Sequence, residues 1–309
     1  MKIITLTLNP AFDVHCYAKD FRPYHESIAE ITSKDAGGKG INISRALVSN
    51  NVENIAVAIV GSENGNEFCK ALEKDGLNFL PVWTEGRIRE NITIHEDNNP
   101  ETRISFNGFT CKEGILLEVE EKIGEVDENT IVAFTGSIAK GIDVSDVLSL
   151  LAKLKNNGAK IIIDSRSVSL GELIAFKPWL IKPNEDEAEH YTGKKVGSVL
   201  DAANIAKEIF ESGIENVMVS LGGDGAVLAT ASGVFYAKTP KITAISTIGA
   251  GDSTIAGFID AFSNGKTAEE ALARACAYGT SACMRDGTLP PAEKDVLTVE
   301  KQIKVEKFI

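Results

Sequence analysis

Four short segments carry residue types suited to chemistry on phosphates and hydroxyls. In Thr247-Ile248-Gly249-Ala250-Gly251-Asp252-Ser253, two glycines precede a carboxylate and an amphipathic helical pattern over 254–262. Glycines at a helix start let backbone N–H groups approach an anion, and the helix dipole adds partial positive charge there. Asp252 falls in the first turn, where it suits a general base and equally a plain cap. In Ala36-Gly37-Gly38-Lys39-Gly40-Ile41-Asn42, three glycines free the backbone, Lys39 supplies a cation, and Asn42 supplies a donor and an acceptor. That set suits a polyol or phosphate ligand, or a flexible strand-to-helix turn. Ser220-Leu221-Gly222-Gly223-Asp224-Gly225 reads first as a hairpin turn leading into 226–230. Lys182-Pro183-Asn184-Glu185-Asp186-Glu187 reads first as the solvated start of a helix. No G-x-x-x-x-G-K-[ST] phosphate loop occurs.

The elements that must position these segments alternate. Apolar strand patterns lie at 3–8, 55–60, 131–135, 161–164, 179–182 and 217–221. Several are apolar throughout, as in strands covered on both faces. Helical patterns fall near 40–50, 66–74, 142–157 and 201–212, and two more, near 252–264 and 267–284, close the chain. Such alternation predicts an α/β fold with a mostly parallel sheet between helices. Residues 12–33 and 88–108 break the pattern. They hold short alternating strands such as Asn91-Ile92-Thr93-Ile94-His95 and Arg103-Ile104-Ser105-Phe106, with turn chemistry at Asp97-Asn98-Asn99-Pro100. The expectation is a discontinuous antiparallel lid over 12–33 and 88–108, on a main domain of 1–11, 34–87 and 109–309. A sheet this small must cover something: a site or a second copy of the chain.

Bulk properties narrow the partners. A net charge of -12 over 309 residues argues against nucleic acid and against anionic membranes. No stretch reaches the roughly 18 apolar residues that span a bilayer. Five scattered cysteines without a C-x-x-C pair, and four scattered histidines without a zinc pattern, suggest reduced thiols and a cytoplasmic chain.

Taken together, the segments resemble the ribokinase-like, PfkB-type carbohydrate kinases over roughly residues 1–291. The opening Thr5-Leu6-Thr7-Leu8-Asn9-Pro10-Ala11-Phe12-Asp13 is similar to that of the phosphohexose kinase branch, which contains 1-phosphofructokinase and tagatose-6-phosphate kinase. The resemblance implies ATP-dependent phosphorylation of a small phosphosugar, with Mg²⁺. Fructose 1-phosphate, converted to fructose 1,6-bisphosphate, is the expected substrate; tagatose 6-phosphate and fructose 6-phosphate are the alternatives. It implies an anion hole at Gly249, Ala250 and Gly251 with Asp252 as base. Asp13, Gly38, Asn42 and Asn91 then match sugar-binding positions; Lys39 and Arg89 match the phosphosugar side as one cationic cluster, with Ser137 near the substrate phosphate. Lys182, Asn184, Ser220, Gly222 and Gly225 match ATP-binding positions, and Glu187 matches a carboxylate that organises Mg²⁺ through water. Gly136-Ser137-Ile138-Ala139-Lys140-Gly141 departs from the usual Gly-Ser-Leu-Pro-x-Gly. The first lid strand carries Glu26-Ser27-Ile28 where relatives have an Asn or Arg pair, so phosphate binding falls on Arg89, Lys39 and Arg103. A non-catalytic sugar-phosphate sensor would not need Asp252 behind two glycines. Ile92, Ile94, Ile104 and Phe106 suggest a homodimer formed through the lid.

Overall fold

A computed structural model of the chain describes residues 1–97 and 101–308. The elements run β1 (Lys2–Thr7), β2 (Ala11–Tyr17), β3 (Glu30–Gly37), α1 (Lys39–Val48), β4 (Ile55–Gly61), α2 (Gly65–Lys74), β5 (Phe79–Thr84), β6 (Arg89–His95) and β7 (Thr102–Ile104). They continue with α3 (Ile115–Ile123), β8 (Thr130–Thr135), α4 (Val144–Asn156), β9 (Lys160–Asp164), α5 (Leu170–Phe176), β10 (Leu180–Ile181), α6 (Glu185–Thr192) and α7 (Val199–Glu211). The last are β11 (Asn216–Ser220), β12 (Ala226–Thr230), β13 (Gly233–Lys238), α8 (Ala250–Ser263), α9 (Ala268–Ala282), α10 (Glu293–Glu300) and β14 (Lys304–Lys307).

Among the described residues, ten strands form one sheet in the order β14-β13-β12-β11-β10-β9-β8-β1-β4-β5. From β11 to β5 every pairing is parallel, and the three strands beyond β11 are antiparallel. Parallel strands need helices on both faces, and alternate side chains of one strand serve opposite faces. Ile3 thus packs with α1, α8, α9 and α10 residues such as Leu47, Ile255, Leu272 and Val296. Its neighbour Ile4 belongs to the core on the other face, which also holds Phe68, Val119, Leu151 and Ile205. Capping boxes at Ser169/Glu172, Asn184/Glu187 and Thr267/Glu270 start α5, α6 and α9.

The expected alternation is present, with additions the sequence did not yield. The chain does not close on α9, because α10 and β14 follow it. β14, Lys304–Lys307, has no apolar run, and its pairing with β13 holds it in the sheet. The segment after Ser220 is the hairpin turn that was expected, joining β11 to β12 through a short 3₁₀ turn.

The small sheet has the order β3-β2-β6-β7. Its outer pairs are antiparallel as expected, but the central pair β2–β6 is parallel. β2 and β6 come from different insertions and start level, with Ala11 opposite Arg89. Glu26-Ser27-Ile28 is not on a strand; these residues lie between β2 and β3. Of the turn expected at Asp97–Pro100, residues 98–100 lie outside the described residues. One face of the small sheet packs on the body through Phe12 and Val14, with Phe12 edge-on to Phe68 at 5.4 Å. Ile94 is buried and Ile92 packs on the same core, so neither faces solvent. The opposite face, with Asp13, Asn91 and Arg103, turns to a cleft along the carboxyl ends of the main strands.

Candidate active site

In an open parallel sheet, strand carboxyl ends and helix amino ends converge on one side, where ligands bind. Here that side is a cleft of about 1130 Å³. Thr7 ends β1, Thr135 ends β8, Asp164 ends β9 and Ser220 ends β11; Lys182 follows β10. Every residue singled out from the sequence lines this cleft, from Asp13 and Gly38 through Lys182 and Glu187 to Asp252.

Two helices start here. Gly38 precedes α1 and Gly249 precedes α8. Gly249 has φ 77, a left-handed conformation in which a side chain would be strained. Gly251 allows a close approach instead: a Cβ there would stand 3.2 Å from Lys182 Nζ. The first turns of the two helices are tied by Asn42 Nδ2, which donates to Asp252 Oδ2 at 2.9 Å. Asp252 is buried, and burial pushes its carboxyl up to about 6, against the pull of Lys39, Asn42 and Lys182. Asp164, also buried, is held below the ordinary carboxylate range; burial alone would raise it, but Lys182 and Lys39 outweigh that. The two carboxylates are thus driven apart, one to stay ionised and one to exchange a proton near neutrality.

Lys39 corrects the expected layout. Its ammonium donates to Asp164 Oδ2 at 3.0 Å. Burial lowers its basicity, but Asp164, Asp252 and Glu187 together raise it above the ordinary lysine value. It therefore belongs with Asp252 rather than in a cluster with Arg89. The cation acting on Arg89 is Arg103 of β7. Arg89 donates to the carbonyls of Asn9 (3.1 Å), Phe106 (3.3 Å) and Pro10 (3.4 Å), and to Ser137 Oγ at 3.4 Å. None of those acceptors is charged. Burial lowers its pKa, and the nearby carboxylate that offsets this is Asp13.

Asn184 and Glu187 form the capping box of α6, the reading the sequence favoured in isolation. Glu187 Oε1 also accepts from Arg166 Nε at 2.8 Å. Gly222 and Gly225 line the cleft from the hairpin turn, and Asn184 bridges to Ser220. Thr7, Asn9, Thr135 and Asp164 are among the cleft residues the sequence did not single out. Buried oxygens of Thr7, Asn9, Asn42, Asn91 and Thr135 in the cleft have no partner among the described residues. An unpartnered buried polar group costs about 1–3 kcal/mol, so the cleft is built to accept hydroxyls. Position at a strand's carboxyl end is the signal that could have found Thr7, Thr135 and Asp164.

Comparison with known proteins agrees with this architecture. The model of the pfkB family of carbohydrate kinases matches residues 9–295. A 1-phosphofructokinase of Borreliella burgdorferi is 33% identical over 307 residues, covering 98% of each chain. One of Bacillus subtilis is 32% identical over 270 residues, covering 87% of this chain and 88% of its own. The crystal structure of phosphofructokinase-2 from Escherichia coli with substrates and products superposes with a TM-score of 0.91 at 24% identity, covering 98% and 99% of the chains. With its family model matched over almost the full length, this chain belongs to the pfkB family of carbohydrate kinases, enzymes that transfer phosphate from ATP to a sugar.

Proposed function

We propose that the chain phosphorylates the 6-hydroxyl of fructose 1-phosphate with ATP, giving fructose 1,6-bisphosphate. The observation that carries this reading is the two-ended cleft. At one end Arg89 lies half buried on neutral acceptors beside Arg103. At the other a buried carboxylate, poised at about 6, stands where two helices begin. The charges acting on Arg89 are Asp13 and Arg103, whereas those acting on Asp252 are Lys39, Asp164 and Lys182. An acceptor with its phosphate far from its reacting hydroxyl fits this separation, as fructose 1-phosphate, fructose 6-phosphate and tagatose 6-phosphate all do, and the 1-phosphofructokinase relatives favour the first.

In this reading Asp252 takes the proton of the 6-hydroxyl as it attacks. The backbone N–H groups of Gly249, Ala250 and Gly251 face the charge on the transferring phosphoryl group, with Lys182 and Lys39 beside them. Asp13, Gly38, Asn42 and Asn91 hold the sugar hydroxyls, and Arg89 with Ser137 holds its phosphate. Asn184, Ser220, Gly222 and Gly225 border the nucleotide. Among the described residues no group of three or more acidic, histidine or cysteine side chains could hold a metal. Both Glu187 oxygens already accept a hydrogen bond. Each keeps a second lone pair, so Glu187 fits a Mg²⁺ bound by the ATP phosphates through that ion's water, and the ion supplies charge neutralisation there. Among the described residues no helix is long and apolar enough to cross a membrane.

The test is a coupled assay on fructose 1-phosphate, tagatose 6-phosphate, fructose 6-phosphate and fructose. The expected result is the highest kcat/KM for fructose 1-phosphate. A value for any other acceptor that matches or exceeds it overturns the assignment.

The small sheet also exposes Ile31, Ile104 and Phe106. In our reading these cover one another in a homodimer, since exposed apolar strand edges seek partners. Sedimentation should give a dimer mass at micromolar concentration. A monomer with full activity refutes this.

A further inference from the structure

We infer that Arg103 makes the acceptor's phosphate a requirement, by occupying Asp13 until a phosphate draws it away. This rests on the phosphosugar reading above. Asp13 Oδ1 accepts from Asn91 Nδ2 at 3.2 Å and from Arg103 Nη2 at 3.1 Å. Asp13 is itself buried, so its capacity to accept hydroxyls is limited to what its neighbours leave open. Arg103 takes part of that capacity.

The charge balance at this end of the cleft is uneven. Two guanidinium groups, Arg89 and Arg103, share one carboxylate, Asp13. Among the described residues Arg89 has no charged hydrogen-bond acceptor. The pair repel each other, which contributes to the lowered pKa of Arg89. A phosphate dianion would reverse the balance and offer each planar guanidinium a pair of oxygens to bind in two-pronged fashion. Arg103 can leave Asp13 easily. Its side chain is 42% exposed, so its ion pair is weak. It sits in β7, a three-residue edge strand.

Asp13 stands directly opposite Asn91 in the small sheet, and Asn91 Oδ1 is buried with no partner among the described residues. When Arg103 moves to the phosphate, Asp13 Oδ1 and Asn91 Oδ1 together become acceptors for sugar hydroxyls. A sugar without phosphate meets Asp13 Oδ1 still occupied. Phosphate recognition and hydroxyl recognition are thereby one event, and selectivity comes from an occupant that only the right ligand removes.

Two measurements test this. In Arg103→Met, KM for fructose 1-phosphate should rise about 10- to 100-fold, the effect of one charge-assisted contact, with a smaller change in kcat. The same variant should raise kcat/KM for unphosphorylated fructose, because Asp13 Oδ1 is then permanently free of Arg103 and keeps only its contact with Asn91. Arg103→Lys, which keeps the charge, should fall between. A parallel fall for both acceptors, or no change for either, overturns the inference and leaves the fructose 1-phosphate assignment standing. The second measurement needs no variant: inorganic phosphite, which fits the phosphate end, should increase turnover of fructose by the unaltered enzyme. Absence of that activation overturns the exchange. If the unaltered enzyme turns over fructose but never fructose 1-phosphate, the function assigned above fails.

Discussion

Asp252→Asn lowers kcat about 100- to 10,000-fold, the usual loss for a general base, while ATP binding and the fold persist. The substitution keeps the shape, and its amide can face Asn42, whose Nδ2 now donates to Asp252 at 2.9 Å. It removes only the proton acceptor. Because burial places the carboxyl at about 6, the unaltered enzyme gains activity with rising pH through that value and levels off above it. An exposed aspartate would complete this near 4. A phosphate monoester also loses its second proton near 6, so the variant is the control: its residual activity should lack the limb if Asp252 causes it. The stability sign is opposite. A carboxyl raised above its unfolded value stabilises the fold fully only below the unfolded pKa, and that contribution is lost as pH rises through about 6. At pH 7 the asparagine variant should therefore melt no lower than the parent. More than about a tenth of parental kcat, against the loss expected of a base, would remove Asp252 from the role.

Arg89→Ala should raise KM for fructose 1-phosphate about 10- to 150-fold, equivalent to about 1.5–3 kcal/mol for a desolvated charge-assisted contact, and leave KM for ATP nearly unchanged. Arg89 is half buried and its hydrogen bonds go to neutral oxygens. A charge in that state gains most from an arriving anion, because burial removed its water and no carboxylate replaced it. Arg89 also links Asn9 and Pro10 to Phe106, so alanine loosens that link as well. Arg89→Lys separates the two effects: it restores charge without the fork and should recover only part of the affinity. Equal increases in KM for ATP and for the sugar, or an equal penalty on fructose, would show that Arg89 shapes the cleft without reading the phosphate.

The sequence by itself determined the parallel centre of the main sheet. Segments such as Ile55–Gly61 and Thr130–Thr135 are apolar on both faces, and only a strand between two helical layers buries both. It also determined the two glycine-rich helix starts and Asp252, because those features are local: a few adjacent residues specify a helix amino end. Tertiary structure alone decided what each charge faces. Lys39 was placed with Arg89 because both are cations in matching segments, yet its ammonium lies on Asp164, 125 residues away in the chain. Arg103 reaches Asp13 across 90 residues, through a strand pairing that no local pattern encodes. β14 went unread for the same reason, since Lys304–Lys307 is polar and gains its strand conformation from β13. Hydrophobic period reports which face of an element is buried, whereas an ion pair depends on which two elements meet. That depends on the order and direction in which the strands come together, and the parallel β2–β6 pairing shows how one such choice sets Asp13 beside Asn91.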